Sequence, residues 1–213
     1  MKLIHASQMA EAAAALEAGE LVIVPTSRWY MICANAYNEQ GCQKIFDAKR
    51  RPADKSLLLV TPHLDAATAL FTFPRGALRL ATAFWPGELA MVLRWRDQAT
   101  GSAHRSVGHP NALVTCAPGL LGDLAATAKV PVAATSANVS GEAAVGGSSP
   151  AITVSEVKRF VQSSGIGAAF CIDGGTCPAA DHLTIVDSTT EDVRVVRPGL
   201  VHERAVAAAL EAQ

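Results

Sequence analysis

Pro131-Val-Ala-Ala-Thr135-Ser136-Ala-Asn138-Val-Ser140-Gly141 is the stretch on which the fold turns. Its first half is apolar and short, which predicts a buried strand over about 130–134. Its second half packs three hydroxyls and an amide into a few residues before a glycine. A strand that runs straight into such a turn presents backbone N–H groups and side-chain donors at its C-terminal end, where ligands bind in open α/β sheets. An ordinary Asx/Ser turn that only closes a strand has the same spelling.

Outward from this stretch, strands and helices alternate. Toward the N-terminus, an Ala-rich segment at 7–19 reads as a helix, and Leu21–Val24, stopped by Pro25, reads as a strand. Tyr30–Ala36, Leu57–Val60, Leu89–Trp95 and Ala112–Cys116 have strand character; 39–48, 64–70, 76–84 and 119–128 have helix character. Trp85-Pro86-Gly87 ends the helix at 76–84. Toward the C-terminus, 141–150 is Gly/Ser/Ala-rich and reads as loop. Thr153-Val-Ser-Glu156 is a capping box that opens a helix to about Ser163. Strands follow at 169–173, 183–187 and 193–196, and a last helix at 202–211. No repeat and no interdomain linker interrupts the pattern. It predicts a single α/β domain over 1–213, built on one twisted mixed sheet with helices on its faces.

A second polar segment, Asp47-Ala-Lys49-Arg-Arg51-Pro52-Ala-Asp-Lys55-Ser, lies where a helix passes through a proline into a strand. Lys49 and Arg51 are expected to project into the same mouth of the sheet as the Ser136–Ser140 turn. Arginine offers a planar fork for phosphate or carboxylate, and lysine a mobile point charge. The plain alternative is a solvated basic helix end.

Composition narrows the function. A net charge of −1 argues against a dedicated nucleic-acid binder. Five cysteines in no metal-type spacing are expected to be reduced and buried, as in a cytoplasmic protein. No apolar run approaches the ~18 residues of a membrane span, and no signal-type segment is visible. There is no P-loop; Gly165-Ile-Gly167-Ala-Ala-Phe170 falls short of a dinucleotide fingerprint, and Ser136 lacks a GxSxG context.

Together the two polar segments resemble the YrdC-like family, the threonylcarbamoyl-adenylate synthases. The family's K-x-R and S-x-N signature corresponds to Lys49, Arg51, Ser136 and Asn138. Pro25-Thr26 with Tyr30, Phe84-Trp85-Pro86-Gly87, Asp173-Gly174-Gly175, Thr184–Asp187 and Arg197-Pro198-Gly199 echo further family segments in order, so the resemblance covers roughly residues 10–200. It implies a large ligand concavity and an enzyme that joins L-threonine, or another amino acid, to bicarbonate and ATP. The expected product is L-threonylcarbamoyl-AMP with pyrophosphate, for a transferase partner that modifies tRNA. ATP is expected as a substrate, with Mg2+ travelling on its phosphates; no protein-borne metal site is assigned. Lys49 and Arg51 are expected to hold carbamate and phosphates, and Ser136, Asn138 and Ser140 phosphate or ribose oxygens. Thr26 and Tyr30 would frame the amino-acid pocket with Arg28 beside them, Arg197 would approach the nucleotide, and Lys55 would complete the basic run.

Several departures fall in these segments. The family's Asp-Thr is Ser27-Arg28, and a Gly is Met31, which is expected to crowd the pocket. An Arg is replaced by Val114 or Thr115, a Ser by Leu183 and a Thr by Ala90. Arg28 is expected either to replace the charge lost near Thr115 or to favour a ligand with an extra anionic group. The alternatives to the threonine reaction are a paralogue that adenylates a carbamate or carbamoyl group on another substrate, and a non-catalytic nucleotide- or RNA-binding module.

Overall fold

The computed structural model describes residues 1–96, 106–141 and 147–211. Eleven strands join in one sheet: β1 (Lys2–Ile4), β2 (Val22–Pro25), β3 (Tyr30–Asn35), β4 (Leu58–Val60), β5 (Phe71–Thr72), β6 (Leu89–Trp95), β7 (Asn111–Thr115), β8 (Val132–Ser136), β9 (Phe170–Ile172), β10 (Thr184–Asp187) and β11 (Arg194–Arg197). Their spatial order is β1-β9-β2-β3-β8-β4-β7-β6-β10-β11, with β5 paired to β6 outside that path. The sheet is mixed: β8 runs antiparallel to both β3 and β4, while β4 and β7 are parallel. The helices are α1 (Met9–Glu17), α2 (Glu39–Lys49), α3 (Leu64–Leu70), α4 (Arg75–Phe84), α5 (Gly119–Thr127), α6 (Val154–Ser164) and α7 (Glu203–Glu211).

The period of two along each strand explains how so apolar a chain is layered. Ile23, Ile32, Leu59, Ala133 and Cys171 face one core, which also takes Ile45 of α2, Leu80 of α4, Val157 and Phe160 of α6, and Val206 of α7. Their neighbours Val22, Val24, Met31, Cys33, Leu58, Val60 and Ala134 face the other, against Ala12 and Leu16 of α1 and Leu121 and Leu124 of α5. With both faces covered, the central strands read as continuous apolar runs.

The predicted elements match closely, and the Thr153–Glu156 capping box forms with both reciprocal bonds. Two short strands were not anticipated, β1 and β5, of three and two residues. Of the predicted loop 141–150, residues 142–146 lie outside the described residues. All five cysteines are free and buried. Among the described residues no helix is long and apolar enough to cross a membrane.

Candidate active site

The centre of the site is the crossing of α2's C-terminus with the turn after β8. Helix α2 ends on Arg50, whose φ of 48° places a non-glycine residue in the left-handed region. That reversal separates Lys49, still helical, from Arg51, whose backbone N–H donates to Phe46 O. The basic run is therefore three different environments. Lys49 is 1% exposed, Arg50 is exposed, and Arg51 is partly buried.

Lys49 Nζ donates to Ser136 O at 2.6 Å, Asn138 O at 2.7 Å and Asn138 Oδ1 at 2.9 Å. In return, the Ser140 N–H donates to Lys49 O at 2.8 Å. Burial, with help from the Arg51 charge, pulls the Lys49 ammonium down from 10.5 to about 7. Asn138 is the hub of the turn. Its Oδ1 also accepts from Ser136 Oγ at 2.6 Å, while its Nδ2 donates to Val139 O and Ser148 O. Ser140 Oγ is buried and finds no partner among the described residues. A buried hydroxyl left without a partner costs about 1–3 kcal/mol, which makes it a ready donor to an arriving oxygen.

Arg51 donates from Nε to Lys55 O and from Nη2 to Ser56 O, folding the 51–56 segment around its guanidinium. Lys55 itself points to solvent. An open depression of about 490 Å³ lies beside Arg51, lined by Gln43, Phe46, Asp47, Arg50 and Ala53. Sequence reasoning placed Lys49 and Arg51 in one mouth. The structure instead turns Lys49 inward onto the Ser-x-Asn turn and Arg51 onto its own loop.

The Pro25–Tyr30 segment builds a second part of the site. Thr26 Oγ1 donates to Trp29 O and accepts from the Arg28 and Trp29 N–H groups, a compact turn that sends Arg28 inward. Arg28 is 4% exposed and ion-paired to Glu88, which also accepts from Ser27 Oγ. Burial lowers Arg28 to about 10, with the Arg197 charge contributing. Arg28 and Thr115 share the walls of a cavity with Thr26, Ser27, Leu58, Glu88 and Leu183. Its volume is about 10 Å³, room for roughly one water. Tyr30 does not open onto it. Its hydroxyl donates to Gly175 O and accepts from the Gly174 N–H, which ties β3 to the Asp173–Gly175 loop.

Two expectations about the departures change here. Met31 does not line the cavity; it is 4% exposed and packs in the second core, because its strand register points it to the α1 and α5 face. Arg28 does not offer a free extra charge, because Glu88 neutralises it. Glu88 was overlooked: it follows Trp85-Pro86-Gly87 and reads as part of a turn, and its partner lies 60 residues earlier. Arg197 donates to Leu183 O and acts electrostatically on Arg28 and His182, so it belongs to this second part of the site.

The family model Sua5_yciO_yrdC, described as "Telomere recombination", matches residues 14–199. A protein of Mycobacterium tuberculosis is 31% identical over 206 residues, 93% of this chain and 87% of its own length. The threonylcarbamoyl-AMP synthase of Pyrococcus abyssi is 32% identical over 198 residues, 88% of this chain; the chain spans 53% of that protein. The crystal structure of P. abyssi Sua5 complexed with L-threonine superposes with a TM-score of 0.85 at 25% identity, covering 99% of this chain and 61% of that one. Escherichia coli YciO shares the fold, with a TM-score of 0.76 at 16% identity over 96% of this chain and 97% of its own.

Proposed function

This chain belongs to the Sua5/YciO/YrdC family, and from that premise we propose that it is a nucleotidyltransferase making L-threonylcarbamoyl-AMP from L-threonine, bicarbonate and ATP. The observation that carries the reading is the joining of Lys49 to Ser136 and Asn138 across 87–89 residues of sequence, which assembles the two halves of the family signature in one place.

In this scheme the amine of threonine forms an N–C bond to the carbon of bicarbonate, and water leaves to give a carbamate. A carbamate oxygen forms a bond to the α-phosphorus of ATP, and the bond from that phosphorus to the bridging oxygen breaks. Pyrophosphate leaves with the electron pair. The protein aligns two mutually repelling anions and compensates their charge. The reading gives phosphate oxygens to Arg51, which lines the open depression, and to the unpartnered Ser140 hydroxyl. Lys49 meets them by exchanging one of its three oxygens for a phosphate oxygen. Until then it holds the turn in shape. Thr26 lines the amino-acid side, Arg197 approaches from the β10–β11 edge, and Lys55 adds a peripheral charge. Among the described residues no group of three or more His, Cys, Asp or Glu is arranged to hold a metal ion. Mg2+ in this scheme is bound by the nucleotide phosphates, in keeping with its preference for them over protein cages. The product serves a transferase partner that places the threonylcarbamoyl group on tRNA in the cytoplasm.

One observation favours a second reading, in which the amine is another amino acid: the Arg28–Glu88 pair puts two charged side chains on the wall of the cavity beside Thr26, the side this reading gives to the amino acid. Pyrophosphate release from ATP and bicarbonate, compared across amino acids, separates the two. Release that depends on threonine supports the first, and release with another amino acid the second. Salt-sensitive tRNA binding with no release in any case refutes both in favour of a binding module.

A further inference from the structure

The second part of the site holds four charges of two signs: Arg28 and Arg197, Glu88 and Asp181. Arg28 pairs with Glu88, and Asp181 acts on Arg197. His182 packs edge-on against Trp29 at 5.0 Å, and partial burial, with the Arg197 charge, disfavours its charged form. The cluster therefore sums to zero, which suits a zwitterion and does not suit a dianion. Two further facts point to a ligand. Arg28, although 4% exposed, leaves its Nε–H without a partner, a costly arrangement for a guanidinium. The cavity it lines, about 10 Å³, is far too small for an amino acid while Glu88 shares its wall in contact with Arg28.

We propose that the Arg28–Glu88 ion pair is the closed form of the amino-acid pocket, and that a zwitterionic amino acid enters by setting its own carboxylate on Arg28 in place of Glu88. The proposal rests on the reading of this protein as an amino-acid-using enzyme and adds the pair that sets its selectivity. Glu88 is an internal competitor. A carboxylate tethered at contact distance has a high effective concentration, so apparent affinity is reduced by the fraction of molecules in which the pair is closed. The released Glu88 remains near enough to face the ammonium group of the ligand. A ligand without a carboxylate gains nothing from the release of Glu88, because it has nothing to place on Arg28.

The test is amino-acid binding to the full chain without ATP, read by calorimetry, which keeps it separate from turnover. L-threonine is the first probe, the other standard amino acids follow, and L-threoninol is the control that lacks the carboxylate. Glu88→Gln is expected to tighten the bound amino acid about tenfold or more and to leave L-threoninol unchanged. Arg28→Gln is expected to weaken the amino acid at least tenfold. Arg28→Gln with Glu88→Gln, a neutral pair that keeps the packing, is expected to bind no better than Arg28→Gln alone. Equal or weaker binding by Glu88→Gln, an equal gain for L-threoninol, or no binding of any amino acid overturns the proposal. If single variants fail to fold, the Arg28 Nε–H resonance of the unaltered protein decides. It is expected to shift on saturation with the amino acid, and an unmoved signal overturns the proposal. Pyrophosphate release that persists while these affinities do not respond refutes the pair and leaves the proposed reaction standing; the reverse result refutes the reaction alone.

Discussion

Asn138→Ala tests whether the Ser-x-Asn turn is held by the wiring described. The side chain makes four hydrogen bonds, accepting from Lys49 Nζ and Ser136 Oγ and donating to Val139 O and Ser148 O. At ~1 kcal/mol net for a typical bond and somewhat more for the charged one, deletion costs about 4 kcal/mol. Asn138 is only 9% exposed, so water restores little of this. For a chain of this length that corresponds to a fall of roughly 10 °C in Tm. Urea denaturation measures the loss directly. A double-mutant cycle with Lys49→Met isolates the bond between the two side chains, expected at about 1.5–3 kcal/mol because the donor is charged. Pyrophosphate release should fall in parallel, since the turn that faces the phosphates loses its shape. A loss of stability under 1 kcal/mol, or a coupling near zero, would refute the idea that Lys49 and Asn138 form one unit.

Nucleotide affinity should weaken as pH rises above about 7, because a neutral Lys49 brings one charge fewer to the phosphates; equal affinities at pH 6 and 8.5 would show that its charge is not used. Stability moves the other way: the unfolded chain binds the Lys49 proton more tightly, so between pH 7 and 10.5 this residue's contribution rises with pH. Arg50→Gly relieves the left-handed strain at the end of α2 and should raise the urea midpoint by an amount equivalent to about 1 kcal/mol, whereas a lower midpoint contradicts that account. Tyr30→Phe removes both bonds to the Asp173–Gly175 loop and should cost about 1–3 kcal/mol with faster hydrogen exchange at Gly174; unchanged exchange would mean that the loop is held by other contacts. Gly174→Ala would bring a Cβ to 2.4 Å from Pro25 Cγ, so its Tm should drop by several degrees, and an unchanged Tm would show that Pro25 yields freely.

The sequence was most readable where one element decides its own structure. The apolar runs of β2, β3, β4, β6 and β8 and the capping box of α6 carry local signals. Lys49, Arg51, Ser136 and Asn138 could be named because their motifs are short and contiguous. Their relation could not: that the ammonium of Lys49 turns into the protein depends on β8 lying between β3 and β4, which is a property of the whole sheet. Met31 shows the same limit on a smaller scale. Its position beside the pocket residues suggested a role in the pocket, but the pleat sends it to the opposite core. Glu88 was invisible for a different reason. A lone carboxylate after a turn carries no local signature, and its meaning comes entirely from Arg28.

The position of β1 has a consequence for how the chain is made. Lys2–Ile4 is synthesised long before its partner in the sheet, β9, Phe170–Ile172. β9 is also the neighbour of β2 on the side away from β3. A ribosome must therefore make every segment from β2 through β9 before the edge of β2 is covered and β1 has anything to pair with. During that interval the apolar backbone of β2 offers open hydrogen-bonding groups to other nascent chains. Fragments truncated before residue 170 should precipitate or recruit holding chaperones, even though they carry Lys49, Arg51, Ser136 and Asn138 in full.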